Sequence, residues 1–465
     1  MPQIQPNIVF ILTDDQGVWA AGCYGNPEIR TPNLDRLAAQ GVRFANFFVA
    51  IPVCSPSRAT FLTGRMPSQH GVHDWIRQGN TGTDEATYLK GEVAYTDILA
   101  AHGYTCGLSG KWHLGNSQLA QHGFDHWYVH QQGGGSYNDA PMVRNGELIT
   151  EPGYVTHAIT DDALNFIDAH AGEANPFYLG VHYTAPHSPW TGHPQEIVDS
   201  YDDCPFESCP QEPIHPWAVG HPLSENCLGN RAMLKGYFAA VTAMDADVGR
   251  ILDKLDETGI RRDTLVVFVS DNGFSCGHHG FWGKGNATYP LNMYENSIKV
   301  PALISHPGRI AAGQVQEALV SAYDFMPTLL DYLGLPMPES GNLPGVSFAP
   351  LLNGQPQALR DEVVIYDEYG TTRMLRTTQW KYIHRYSDGP HELYDLVNYP
   401  DERHNLVDDP AQTQRLQELR AQLETWFQRY THPDRDGRLY PVTGTGQLRP
   451  VGRDPRATGE AFGRR

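Results

Sequence analysis

Three short apolar runs constrain this chain more than any other feature. Asn7-Ile8-Val9-Phe10-Ile11-Leu12, Phe177-Tyr178-Leu179-Gly180-Val181-His182-Tyr183 and Thr264-Leu265-Val266-Val267-Phe268-Val269-Ser270 are continuous rather than alternating. That is the pattern of strands covered on both faces, as in a parallel sheet. Each run breaks into polar residues: Thr13-Asp14-Asp15-Gln16-Gly17, Thr184-Ala185-Pro186-His187, and Asp271-Asn272-Gly273. Helical patterns at 33–40, 155–169 and 234–258 lie between the runs, so strands and helices alternate as a mainly parallel α/β fold requires. The expected fold is a large, mainly parallel mixed sheet flanked by helices. Ligands gather at the carboxyl ends of such strands, where the polar residues fall.

Near Leu352-Asn353-Gly354-Gln355-Pro356 the pattern changes. Short runs at 362–368, 373–377, 380–385 and 391–396, joined by turn signals, precede an amphipathic stretch at 413–430. They predict a small antiparallel sheet with one packed helix. Single cores stop growing at roughly 250–300 residues. The expected organisation is therefore a large α/β domain over 1–357 and a smaller C-terminal α+β subdomain over 358–465. The tail from His432 to Arg465, rich in Gly, Pro and Arg, is expected to wrap the surface or to be partly mobile.

The formal net charge of −19 argues against a nucleic-acid partner, and no basic run offsets it. An acidic shell also repels anionic ligands at long range, so any anion must be captured by a local cationic pocket. No apolar run is long enough to span a bilayer, so no membrane partner is expected. Met1–Asn7 shows no basic n-region and leads straight into the first apolar run, which reads as a cytoplasmic chain unless a signal was removed before Met1. Seven cysteines without regular spacing do not form a disulfide framework. Cys204 and Cys209 could pair or bind a metal; free thiols are the expectation.

Four clusters carry chemistry. In Cys54-Ser55-Pro56-Ser57-Arg58, Pro56 suits the first turn of a helix, which places Cys54 at the positive end of the helix dipole. Arg58 follows one turn later, with a guanidinium fork suited to tetrahedral oxyanions. A buried cysteine at a capped helix is the plainer alternative. Asp14-Asp15 and Asp271-Asn272 both follow apolar runs and meet if those strands are neighbours, offering hard oxygen ligands that suit Ca²⁺ or Mg²⁺ better than Zn²⁺. A helix cap or Asx turn is the bland reading of each pair. Lys111 and His113, two apart in Ser109-Gly110-Lys111-Trp112-His113-Leu114-Gly115, face one way in an extended segment. His187 sits between Pro186 and Pro189, and Lys284 lies in Phe281-Trp282-Gly283-Lys284-Gly285.

The run from Cys54 to Arg58, continuing through Leu62-Thr63-Gly64-Arg65, together with Gly110-Lys111-Trp112-His113-Leu114-Gly115, resembles the type I sulfatases of the alkaline-phosphatase-like superfamily. The resemblance implies that Cys54 is oxidised by a formylglycine-generating enzyme to Cα-formylglycine, whose hydrate attacks sulfur. It implies one divalent cation, Ca²⁺ first and Mg²⁺ second, held by Asp14, Asp15, Asp271 and Asn272 with residue 54. It further implies that Lys111 and Lys284 bind sulfate and that His113 takes a proton from the hydrate's second hydroxyl. By the same resemblance His187 contacts the ester and protonates the leaving alkoxide.

Substrate contacts are expected between these motifs: His73, Asp74, Trp75 and Arg77; Gln131-Gln132-Gly133-Gly134-Gly135; and His278, His279 and Trp282. His182, inside an apolar run, reads as a satisfied core residue or as a further contact. Aromatic, histidine and acidic side chains suit a hydroxyl-rich ligand. The expected substrate is a sulfated carbohydrate, attacked in exo fashion on short oligosaccharides, with aryl sulfates as surrogates. A phosphodiesterase or phosphonate monoester hydrolase on the same scaffold is one alternative. A catalytically silent sulfoglycan-binding protein, in which Cys54 stays a thiol, is the other.

Overall fold

The computed structural model describes residues 5–82, 86–339, 342–354, 364–452 and 460–464. Its centre is a ten-stranded sheet in the order Gln314–Gln316, Val42–Phe44, Ala302–Ser305, Thr264–Ser270, Asn7–Thr13, Phe177–His182, Thr105–Gly110, His126–His130, Asn138–Arg144 and Glu147–Tyr154. The five strands from Thr264–Ser270 to His126–His130 run parallel. Antiparallel strands flank them on both sides, which makes the sheet mixed and mainly parallel at its core.

The first strand shows why its sequence is continuously apolar. Ile8, Phe10 and Leu12 point into one hydrophobic cluster, while Val9 and Ile11 point into another on the opposite face. Helices Cys54–Thr63, Tyr95–Ala101 and Phe325–Leu333 cover the first face; Pro32–Ala39, Val155–His170 and Arg231–Glu257 cover the second. The longest helix begins at Arg231, three residues before its apolar pattern, because the Asn230 side chain accepts from the Ala232 N–H at 3.1 Å and caps it. The apolar run from Phe177 leaves the sheet at His182, one residue before the expected end.

The C-terminal sheet pairs Ile365–Tyr369, Thr372–Arg376, Trp380–Arg385 and Glu392–Asp395 antiparallel. Leu375, Tyr382 and Leu393 on one face pack against Leu419, Leu423 and Phe427 of helix Thr413–Tyr430. Ile365, Met374, Ile383 and Tyr394 on the other face join the cluster under the large sheet. Buried Lys381 reaches across to Glu295 at 2.9 Å and pairs with Glu402 of its own part at 2.7 Å. The expected 357/358 boundary, and the start of the run at 362–368, lie outside the described residues.

Register aligns the functional ends of the strands. Thr13 sits opposite Ser270, and Leu12 opposite His182. Asp14 and Asp271 therefore emerge side by side, with the Asp271 N–H on the Thr13 carbonyl at 3.0 Å and the Asp14 N–H on the Ala185 carbonyl at 3.1 Å. Gly110 ends its strand at φ +119°, where a Cβ would overlap the His182 carbonyl oxygen. Only glycine lets that carbonyl accept the Lys111 N–H at 2.7 Å. Gly110→Ala is expected to destabilise the protein by about 1–3 kcal/mol or more, from strain and overlap at this crossing. Chemical denaturation would show this, and an unchanged midpoint would contradict it.

Candidate active site

The helix Cys54–Thr63 is buried along its whole length and starts at Cys54 itself. Burial pushes the Cys54 thiol up, although Lys111 and Lys284 pull the other way. A thiol held in this state is a poor thiolate nucleophile. One turn on, Arg58 grips Asp271 through Nε and Nη2, both at 2.8 Å, and donates from Nη1 to the Lys111 carbonyl at 3.0 Å. Its Nη2 also lies 3.8 Å from Asp14. Lys111 Nζ rests on the Asp14 carboxylate, and Lys284 Nζ on that of Asp15. Both lysines, which the resemblance aims at sulfate, are paired with the aspartates of the same sheet edge.

Three buried carboxylates and three buried cations thus share one sheet edge. For Asp14 burial works against the charged form, but Lys111, His187, Arg58 and Lys284 outweigh it and hold the carboxyl well below its usual range. Asp271 is pushed up to about 7 by burial and by the neighbouring Asp14 charge, against the pull of Arg58. Burial opposes the charge on Lys284, yet Asp15 keeps its ammonium well above the ordinary lysine range.

The donor set fits a hard cation. Asp14 Oδ1 and Asn272 Oδ1 are buried without a hydrogen-bond partner, and such orphaned oxygens are costly unless something positive meets them. Oxygen and imidazole atoms of Asp14, Asp15 and His187 lie within 4.8 Å of one another. Asn272 is joined to this set through Nδ2 on Asp15 Oδ1 at 2.6 Å. His187 thus stands among the possible ligands, a place the sequence reading does not give it, and Asp271, expected as a ligand, lies alongside and pairs with Arg58 through Oδ2.

Two histidines line the same cleft as Cys54, each with its tautomer set by a backbone carbonyl. His113 Nε2 meets the Ile76 carbonyl at 2.9 Å, so it carries the proton and leaves Nδ1 as the free lone pair; Nδ1 is buried and unpartnered. Burial, then the Lys111 charge, lowers the His113 pKa well below the ordinary value. Gly133 lies flat against this ring, where a Cβ would overlap it. His187 Nδ1 meets the Ser188 carbonyl at 2.7 Å, which leaves Nε2 toward Asp15 at 3.9 Å. Burial lowers its pKa too, against the pull of Asp14 and Asp15.

A cleft of about 320 Å³ opens over Cys54, His113, His187 and Lys284. Of the expected substrate contacts, Trp75, Arg77, Gln132, Gly133 and Gly134 line it. Four others do not. His73 is buried, with Nε2 on the Arg435 carbonyl at 2.8 Å. His278 bonds the Ser208 carbonyl at 2.9 Å and packs on Trp19, while His279 stacks on Tyr294 at 4.1 Å. His182 packs edge-on against Phe10 and meets the Lys111 carbonyl through Nδ1 at 3.1 Å, a core position beneath the site. The walls also include Asn80, His221 and Asn286. Sequence reasoning missed them because each sits in a polar loop with no local pattern of its own.

So much fixed positive charge around one nucleophile position suits the transfer of a tetrahedral oxyanion, and fold and site together define a hydrolase of anionic esters. The Sulfatase family model matches residues 6–335, and the model "N-sulphoglucosamine sulphohydrolase, C-terminal" matches residues 277–429. The N-acetylglucosamine-6-O-sulfatase of Bacteroides thetaiotaomicron is 28% identical over 93% of this chain and 88% of its own. The ulvan-active sulfatase of Formosa agariphila is 30% identical over 90% of this chain and 80% of its own. A solved structure in complex with its substrate, D-glucosamine-2-N,6-O-disulfate, superposes with a TM-score of 0.79 at 27% identity, covering 93% of this chain and 100% of that one. The chain belongs to the sulfatase family, and its activity is that of a sulfuric ester hydrolase.

Arg58→Ala leaves Asp271 buried without its partner, which should destabilise the fold by about 3–5 kcal/mol. Arg58→Lys keeps the charge but loses the fork, so its denaturation midpoint should fall between alanine and wild type. Equal midpoints for all three proteins would remove Arg58 from this role.

Proposed function

We propose that this sulfatase releases sulfate from a sulfated carbohydrate, working in exo fashion on short oligosaccharides. The observation that carries this reading is the convergence of Cys54, Lys284, His113 and His187 on one cleft walled by Trp75 and Arg77. An indole face and a guanidinium suit a sugar ring bearing hydroxyl and anionic groups. The relatives named for sugar sulfates support the substrate class.

Oxidation of Cys54 to Cα-formylglycine, by a formylglycine-generating enzyme, supplies a hydrated aldehyde whose oxygen can attack sulfur where a buried thiol cannot. A divalent cation, Ca²⁺ in this reading and Mg²⁺ as the alternative, fits Asp14, Asp15, Asn272 and His187, with Asp271 alongside, and supplies further positive charge to the sulfuryl oxygens. Arg58, Lys111 and Lys284 stabilise the charge that develops on those oxygens, and their placement before the reaction is what makes them effective. Binding of the sulfate draws Lys111 and Lys284 from the carboxylates toward the ester. Lys284, kept protonated by Asp15, is the group that can deliver a proton to the departing alcohol, whereas His187, with its proton on Nδ1 against the Ser188 carbonyl, offers Nε2 as a lone pair and holds the cation side of the cleft instead of acting as the acid. His113 Nδ1 then accepts a proton at the remaining hydroxyl of residue 54, and sulfate leaves by carbon–oxygen cleavage. The seven unpaired cysteines support the cytoplasmic placement, which stays part of this proposal.

Cys54→Ala is expected to abolish turnover while the melting temperature stays near wild type, since it removes the reactive atom and little packing. Near-normal activity in that variant would sink the mechanism. Chelation should remove activity and lower the melting temperature, and Ca²⁺ should restore both; at 100 times its Kd a specific ion adds about 2.7 kcal/mol. A melting curve indifferent to chelator and to Ca²⁺ would contradict the cation assignment. Against a panel of sulfated mono- and disaccharides, aryl sulfates, a phosphodiester and a phosphonate monoester, a sugar sulfate should be turned over best. Faster cleavage of either phosphorus ester than of every sulfate would favour the phosphodiesterase reading instead.

A further inference from the structure

The matched family models end at residue 429, yet the chain beyond them reaches back to the cleft. We infer that Gln447, in the C-terminal tail, is a positioning residue for His113 and for the Trp75–Arg77 wall of the active site. This inference rests on the functional reading above.

The contacts form a short chain of cause. The segment from His73 to Arg77 has no regular structure of its own apart from an isolated bridge between Ile76 and Gln447. Its outer edge is fastened by two backbone hydrogen bonds, from Gln447 N–H to the Trp75 carbonyl at 2.7 Å and from Arg77 N–H to the Gln447 carbonyl at 2.9 Å. The Gln447 side chain, fully buried, accepts through Oε1 from the His73 N–H at 2.8 Å and donates through Nε2 to the Gly71 carbonyl at 3.1 Å and the Arg449 carbonyl at 3.0 Å. Asp74 adds a second fastening: Oδ2 accepts from the Gly446 N–H at 3.0 Å, and Oδ1 from the Tyr369 hydroxyl at 2.6 Å.

The inner edge of the same segment serves the chemistry. The Ile76 carbonyl accepts from His113 Nε2 at 2.9 Å, and the Ile76 N–H donates to Ser55 Oγ, next to Cys54, at 3.0 Å. The carbonyl that selects the His113 tautomer therefore belongs to a segment held on its other side by the tail. Trp75 and Arg77, on either side of Ile76, line the cleft, and Trp75 Nε1 donates to the Gly444 carbonyl at 3.2 Å. Gly446 adopts φ +108°, with space for a Cβ only 2.8 Å from Arg77 Cβ and 3.0 Å from the Trp75 ring. A buried amide that spends its oxygen and one N–H on the Gly71–His73 stretch and bonds its own segment at Arg449 is more than a surface strap needs. Its effect on catalysis acts through Ile76 and not through any contact with substrate.

The test uses the full-length, oxidised enzyme. Gln447→Met keeps length and burial but removes the amide; kcat should fall about 10- to 100-fold through misplacement of His113, with the melting temperature within a few degrees of wild type. Gly446→Ala, which presses on Trp75 and Arg77 but spares the Ile76 carbonyl, should raise KM for a sugar sulfate more than it lowers kcat. Wild-type kcat in Gln447→Met, or a loss no larger than its unfolded fraction, overturns the inference; so does a Gly446→Ala enzyme with unchanged KM. The ratio of variant to wild-type rate is read on whichever ester the wild type cleaves. The choice of ester by the wild type tests the functional reading by itself, so the two claims fail separately.

Discussion

Three carboxylates cannot be buried at one edge of a sheet unless positive charge is buried with them. Asp14, Asp15 and Asp271 are each almost fully enclosed, and in that environment an unpaired charge is expensive enough to force protonation or unfolding. Arg58, Lys111 and Lys284 meet that demand from a helix and two loops, and each is itself enclosed. The fold around the site follows from this pairing. The parallel strands set the aspartates side by side, the buried helix sets Arg58 beneath them, and the glycine at the end of a neighbouring strand lets Lys111 cross close to His182.

The same balance makes the site suited to an anion. Ammonium groups resting on carboxylates are already desolvated and aimed, so a sulfate ester entering the cleft needs small side-chain shifts rather than dehydration of free lysines. A cation at Asp14, Asp15, Asn272 and His187 would satisfy the oxygens left without partners and loosen the lysines at the same time. Electrostatic preorganisation of this kind is usually the largest single catalytic contribution.

Much of this was legible in the chain, for physical reasons. Strands buried on both faces write themselves as continuous apolar runs, so the three central strands and their polar carboxyl ends were readable, as were the long helices and the small C-terminal sheet. The polar strand Asn138–Arg144 and the edge strand Glu147–Tyr154 beside it leave no such trace, because much of each is exposed. Positions whose role depends on distant partners were not legible. His73, His278 and His279 read as ligand contacts by residue type, yet backbone carbonyls and aromatic rings far away in sequence claim them. Gln447 carries no motif, and its importance comes from carbonyls and N–H groups some 370 residues earlier. The composition of the tail points to surface wrapping or mobility and gives no sign of the hydrogen bonds by which Gln447 joins the segment 71–77.

The central claim is that residue 54 acts as an aldehyde held among buried cations. The most direct measurement is peptide mass spectrometry of the segment containing Cys54, made on the same preparation whose release of sulfate from an aryl sulfate is assayed. The account predicts that sulfate release scales with the fraction of residue 54 carrying the thiol-to-aldehyde mass decrease, and vanishes when that fraction is zero. Full activity from a preparation in which Cys54 is entirely an unmodified thiol would contradict it.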